Sequence, residues 1–143
     1  MKIVINDCYG GFSLSPRGEA EYLRRKGETP FFYVTPREGG RLNFDRTVRW
    51  NPNDGESYIV VYTYLDDLGD EPSKEEREAA RYFAARDIDR SDPDLVAVVE
   101  AIGKPAGGRH ANLKVIEIPD DVEWEIEEYD GSEWVAEKHR VWR

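Results

Sequence analysis

Trp124-Glu125-Ile126-Glu127-Glu128-Tyr129-Asp130-Gly131-Ser132-Glu133-Trp134-Val135-Ala136 is the stretch on which the fold class turns. Its first half alternates apolar and acidic residues with the period of a strand, so Trp124, Ile126 and Glu128 share one face. Asp130-Gly131 is a two-residue hairpin signal, because the tight turn that matches strand twist needs positive φ at both central positions. The chain then returns through Trp134-Val135-Ala136. This predicts an antiparallel hairpin. Just upstream, Leu113–Ile118 alternates in the same way, and Pro119-Asp120-Asp121 supplies the turn between them.

Working outward, Lys2–Asn6 reads as a first strand and Phe31–Thr35 as another, rich in aromatic and branched residues. Ser57–Tyr64 has the most buried-looking strand pattern of all. Ser15 before Pro16 predicts an N-cap followed by the first helical residue. Glu19 and Glu21 then fall early and Arg24, Arg25 and Lys26 late, opposing the helix dipole at both ends before Gly27 closes it. Ser91-Asp92-Pro93 starts a second helix, with Leu95, Val96, Val98, Val99 and Ile102 as its apolar face and Gly103 as its stop. Lys74–Arg81 reads as a short polar helix, and Tyr82-Phe83 starts another extended piece. Pro36–Asn53 reads as loop with at most one short strand. No repeat or long linker divides the chain. The expectation is an α+β fold: one domain over residues 1–143, mainly antiparallel sheet with two to three helices.

Charge narrows the function. Thirty acids against twenty bases give a net charge of −10, and the isoelectric point is near 4.7. Ten of the acids lie between Val115 and Glu137, where there is no Lys or Arg, so the rest of the chain is neutral. A protein that coats DNA or RNA needs a broad basic face, and none is expected here. A small anion is a different matter, since two or three placed cations suffice, and fourteen of the twenty bases are arginine, whose planar fork suits phosphate. No apolar run reaches the roughly 20 residues of a membrane span. Met1–Asn6 carries no apolar region of signal-peptide length, which predicts a cytoplasmic protein. The acids of the Glu117–Glu137 block read most simply as the wet face of a meander, with a docking surface for a basic partner as the alternative.

Catalytic chemistry finds little support. Cys8 is the one cysteine, and His110 and His139 are the only histidines. A cyclic-nucleotide hydrolase would have to recruit Cys8, Ser13 or Ser15 with one of these histidines, and no spacing favours such a pairing. No H-x-H, H-x-x-x-H or C-x-x-C motif predicts a metal site, and no cofactor is expected. Binding is better served. Tyr9-Gly10-Gly11-Phe12 joins a strand end to a helix start, where two glycines allow close backbone approach and aromatic rings flank free N–H groups. Arg90-Ser91-Asp92 precedes the second helix. Gly107-Gly108-Arg109-His110 projects an arginine from a glycine loop. Each has an ordinary structural reading: a tight turn with Phe12 as a staple, a helix cap, a helix-to-strand connection. Together, with Tyr9, Phe12, Tyr82 and Phe83 able to stack a base, they suit a nucleotide-like anion.

The opening Lys2-Ile3-Val4-Ile5-Asn6-Asp7-Cys8-Tyr9-Gly10-Gly11-Phe12-Ser13-Leu14-Ser15 is similar to the start of a group of small phage-encoded proteins. Asp89-Arg90-Ser91-Asp92-Pro93-Asp94-Leu95-Val96, Gly108-Arg109, Ile118-Pro119-Asp120-Asp121-Val122 and Glu133-Trp134-Val135-Ala136-Glu137-Lys138-His139-Arg140 extend the likeness to most of the chain outside Pro36–Arg81. The group resembles the first type of Thoeris anti-defence proteins. That resemblance implies a sponge, not an enzyme. Such a protein binds cyclic ADP-ribose isomers made by bacterial TIR-domain immune enzymes, and in some members cyclic trinucleotides, inside the infected host cell. It further implies a homo-oligomer, a hexamer in particular, with ligand pockets between protomers. On the matching positions, Arg109 and the Arg90-Ser91-Asp92 turn are implied ligand contacts, Phe83 a stacking residue, and Arg140 a cation from a neighbouring chain. Ser91 stands where relatives carry asparagine.

Overall fold

Two short apolar runs, Ile3-Val4-Ile5 and Phe32-Tyr33-Val34, seed the two places where this chain becomes dry. The computed structural model describes residues 1–138. In chain order its elements are β1 (Lys2–Asn6), α1 (Pro16–Arg25), β2 (Phe31–Val34), β3 (Arg37–Glu38), β4 (Arg41–Leu42), β5 (Val48–Arg49) and β6 (Tyr62–Tyr64). Then come α2 (Lys74–Ala79), β7 (Tyr82–Phe83), α3 (Pro93–Ile102), β8 (Leu113–Glu117), β9 (Trp124–Tyr129) and β10 (Ser132–Glu137). Single 3₁₀ turns occupy Ala85–Asp87 and Lys104–Ala106. Among the described residues all strand pairs are antiparallel, and the fold is α+β. The chain gathers into two compact units, Met1–Tyr22 with the segment from Ala85 onward, and Leu23–Ala84.

In the first unit β1 pairs with β8, Val4 opposite Val115. Helix α3 packs on both strands and buries Leu95, Val96, Val98 and Val99. Its start is built as sequence chemistry demands: Asp92 accepts from the Asp94 N–H, Pro93 takes the first helical position, and Gly103 ends the helix at φ 75°. Ser15 caps α1, its Oγ accepting from the Gly18 N–H at 3.0 Å. Gly18 must lack a side chain, since a Cβ there would come within 2.3 Å of the Ala106 carbonyl. The β9–β10 hairpin forms about the predicted Asp130-Gly131 turn, with Ser132 opposite Tyr129, Asp130 at φ 52° and Gly131 at φ 87°.

In the second unit a four-stranded sheet runs β5-β2-β6-β7, with β3 and β4 as a separate hairpin. Tyr33 is fully buried and Tyr64 nearly so, their rings meeting edge-on at 5.7 Å. The polar helix α2 carries a capping box between Ser73 and Glu76. The expected long strand over Ser57–Tyr64 is corrected here. Only Tyr62–Tyr64 pairs with a neighbour, and Ile59 and Val60 stand exposed. The composition of a strand is present, but no described strand lies alongside its first half.

Candidate functional site

Among the described residues, strand β1 is hydrogen-bonded to another strand, β8, on one edge only. On the other, the main-chain groups of Val4 and Asn6 would be unpaired and dry, which is costly. Arg90 and Glu133 satisfy them. The Arg90 carbonyl accepts from the Val4 N–H at 2.9 Å, its Nη1 donates to the Val4 carbonyl at 3.3 Å, and Glu133 Oε1 accepts from the Asn6 N–H at 2.7 Å. Arg90 and Glu133 are joined by two parallel hydrogen bonds, Nη1 to Oε1 at 2.6 Å and Nη2 to Oε2 at 2.9 Å. The pair is largely buried, 18% and 10% exposed. Phe12 presents its ring face to the same guanidinium, whose carbon stands 3.6 Å from the ring centroid, a cation–π contact that shields the pair from water.

Asn6 ties this pair to three loops. Fully buried, it donates through Nδ2 to the carbonyls of Cys8 and Gly131, each at 2.8 Å. Its Oδ1 accepts from the Asn112 N–H at 2.8 Å. The Cys8–Phe12 turn, the Gly107–Asn112 loop and the β9–β10 turn are thereby drawn to one corner. Glycine makes the approach possible: a Cβ on Gly10 would lie 2.2 Å from the His110 carbonyl, and one on Gly131 2.4 Å from the Gly11 nitrogen. Beside them an open groove of about 600 Å³ is lined by Tyr9, Gly10, Glu128, Asp130 and Gly131. Tyr9 is 70% exposed there. Glu128 is partly committed, accepting from the Gly131 N–H at 2.8 Å.

No known protein family, no curated protein and no solved structure matches this chain.

Of the residues singled out in the sequence, Tyr9, Gly10, Gly11 and Phe12 join the Arg109 loop and Arg90 around Asn6 and Glu133. Arg109 lies exposed in its turn, and among the described residues no hydrogen bond or ion pair engages its guanidinium. Arg90 is the opposite case, its charge matched by Glu133. Ser91 and Asp92 work for the backbone. Ser91 donates both N–H and Oγ–H to Asp89, bonds that hold the Asp89 carboxyl below its ordinary range. Asp92 caps α3 and accepts from the Tyr22 hydroxyl at 2.8 Å. Phe83 belongs to the second unit, where it pairs across the sheet with Thr63. Arg140 and His139 lie outside the described residues.

The Cys8 thiol is directed to carbonyl oxygens, that of His110 at 3.2 Å and the Asn6 side chain at 3.4 Å. It meets His110 through the main chain. Among the described residues no group of three His, Cys, Asp or Glu could hold a metal ion, and no helix is long and apolar enough to cross a membrane. Glu133 and Asn6 organise the corner, and sequence reasoning missed both. Glu133 was one acid among ten, and its only signal was a place on the face opposite Trp134.

Proposed function

We propose that this chain is a sponge for a small cyclic nucleotide signal, a cyclic ADP-ribose isomer or a related cyclic oligonucleotide, which it binds without cleaving. The observation that carries the reading is the corner of the first unit. Two glycine turns meet there beside an open groove that carries an exposed aromatic ring, and the Gly107–Asn112 loop next to them carries Arg109, exposed and without an ion pair among the described residues. In this reading Arg109 takes the pyrophosphate, Tyr9 stacks the base, and the rim carboxylates accept from ribose hydroxyls. Arg90, with Phe12 and Glu133, is a positioning residue that holds the turns in place.

Sequestration asks for affinity and no bond-breaking. A dissociation constant of 1 nM corresponds to about −12 kcal/mol. A stacked base supplies about 1–3 kcal/mol of it, and closing the pocket against water strengthens each charged contact. A homo-oligomer, a hexamer on the resemblance, would provide that closure from a neighbouring protomer and would act in the cytoplasm of an infected bacterium. The partner is a small nucleotide, not DNA, RNA or a membrane.

The test is recovery of the ligand. The purified chain is mixed with a cyclic ADP-ribose isomer, washed, and heat-denatured. Intact ligand in the supernatant supports the reading, whereas an empty supernatant or a linearised product rejects it. Arg109→Ala should abolish retention while leaving stability within about 0.5 kcal/mol of the parent, as for an exposed side chain.

One observation favours a second reading. Glu125 and Glu127 stand exposed on β9, whose outer edge has no partner strand among the described residues. A basic protein segment docked there would dissociate steeply with added salt.

A further inference from the structure

Leu42, Phe44, Ile59 and Val60 are exposed by 44%, 80%, 77% and 58%, and they surround one apolar cleft of about 140 Å³ in the second unit. Large side chains scattered singly over a surface need no explanation, but four around one cleft do. Together they leave on the order of 400–500 Å² of apolar surface in water, near the top of what a monomer carries. One partner in a standard interface buries about 800 Å², a little over half of it apolar. The cluster therefore matches the apolar core of one side of such an interface. Tyr58-Ile59-Val60-Val61 adds to this. Its residues favour a strand, yet among the described residues Ile59, Val60 and Val61 make no main-chain hydrogen bond to any neighbour.

We infer that this face of the second unit is where two copies of the chain meet. Charge selects a second copy as the occupant. The second unit carries twelve acids and ten bases, whereas the remainder of the chain carries eighteen and ten. Two copies joined through the second unit bring together its nearly neutral surface. The rim has both signs, as a self-complementary contact requires. Arg37 lies over the Tyr58 ring at 4.4 Å and donates to the Ser57 carbonyl, with Glu38 and Arg41 paired across the β3–β4 hairpin. About a two-fold axis, Phe44 or Ile59 of one copy seats in the cleft of the other, and the same rim charges face each other with opposite sign. The inference deepens the self-association expected of the proposed sponge and is independent of its ligand.

Sedimentation velocity of the full chain over a wide concentration range tests it, beside Phe44→Asp and Ile59→Asp. The parent should sediment at a multiple of 16.5 kDa, and each variant at half that multiple or less, with an unchanged circular dichroism spectrum. As a check that does not depend on a disruptive charge, Ile59→Cys in a Cys8→Ser background should cross-link to a dimer on oxidation, and Glu125→Cys in the same background should not. A monomeric parent at every concentration overturns the inference and leaves the face to another partner. An oligomeric parent whose mass both aspartate variants retain overturns it too, by placing the contact elsewhere. Ligand recovery is measured on its own, so failure of the sponge reading and failure of this contact are seen separately.

Discussion

Removing the Glu133 carboxylate should cost the first unit a large share of its stability. The substitution Glu133→Ala strips Arg90 of both its carboxylate bonds, at 2.6 and 2.9 Å, and deprives the Asn6 N–H of its acceptor at 2.7 Å. Both partners are mostly buried, so water replaces the lost contacts only by opening the structure. Truncating one member of a buried ion pair costs about 3–5 kcal/mol, and an unsatisfied buried N–H adds about 1 kcal/mol or more. Against a typical total of about 5–15 kcal/mol, that is a serious loss. Urea unfolding followed by circular dichroism would show it as a lower midpoint. Glu133→Gln retains the shape and the acceptor for Asn6, so it should lose about half as much. The double change Arg90→Met with Glu133→Leu removes the stranded charge as well as the pair. It should be less damaging than Glu133→Ala alone, since apolar replacements of buried pairs are often close to neutral. A Glu133→Ala protein within about 0.5 kcal/mol of the parent would refute the view that this pair closes the open edge of β1.

Asn6→Ala should destabilise by about 3 kcal/mol or more, because it leaves the Cys8 and Gly131 carbonyls and the Asn112 N–H without partners; hydrogen exchange at the Asn112 amide should rise with it. In the second unit, Asp66 is held below its ordinary range by the Arg81 N–H and guanidinium, Asp67 by the Gly69 N–H and Arg49, and Glu71 by Arg46. Folded carboxyls with depressed pKa values bind protons later than the unfolded chain does. Their stabilisation is therefore present above the ordinary carboxylate range near pH 4 and is lost as pH falls through it. Protection of the β2 and β6 amides, taken relative to the unfolded chain at the same pH, should fall between pH 5 and pH 3, by an amount that shrinks in high salt because these pairs are exposed. Equal protection at both ends of that range would show that these pairs do not stabilise the sheet.

Local chemistry was the legible part of this chain. Ser15-Pro16 and Asp92-Pro93 mark helix starts through interactions within four residues, and Asp130-Gly131 encodes its turn in two backbone angles. Each appears in the structure as the sequence implied. Ser57–Tyr64 is the complementary case. Strand composition records a fit to a pleated, half-buried surface and says nothing of which neighbour supplies it. Only Tyr62–Tyr64 is given one, by β2 and β7. The corner was legible in outline, since glycine pairs and aromatic residues mark close backbone approach wherever they occur. Its organisation was not. Arg90 and Glu133 lie 43 positions apart and Asn6 and Asn112 lie 106 apart, and no periodicity links residues at such separations. Arg90 reads as a free cation because its partner lies far away in sequence, whereas Arg109 keeps that character among the described residues.

The most direct measurement is calorimetric titration of the intact chain with a cyclic ADP-ribose isomer, followed by chromatography of the ligand released on heating. Saturable heat at a fixed ratio of ligand to chain, unaltered ligand afterwards, and loss of both in an Arg109→Ala protein that melts normally are the predicted result. No heat, or a ligand that emerges cleaved, would contradict a molecule built to hold a nucleotide signal and leave it whole.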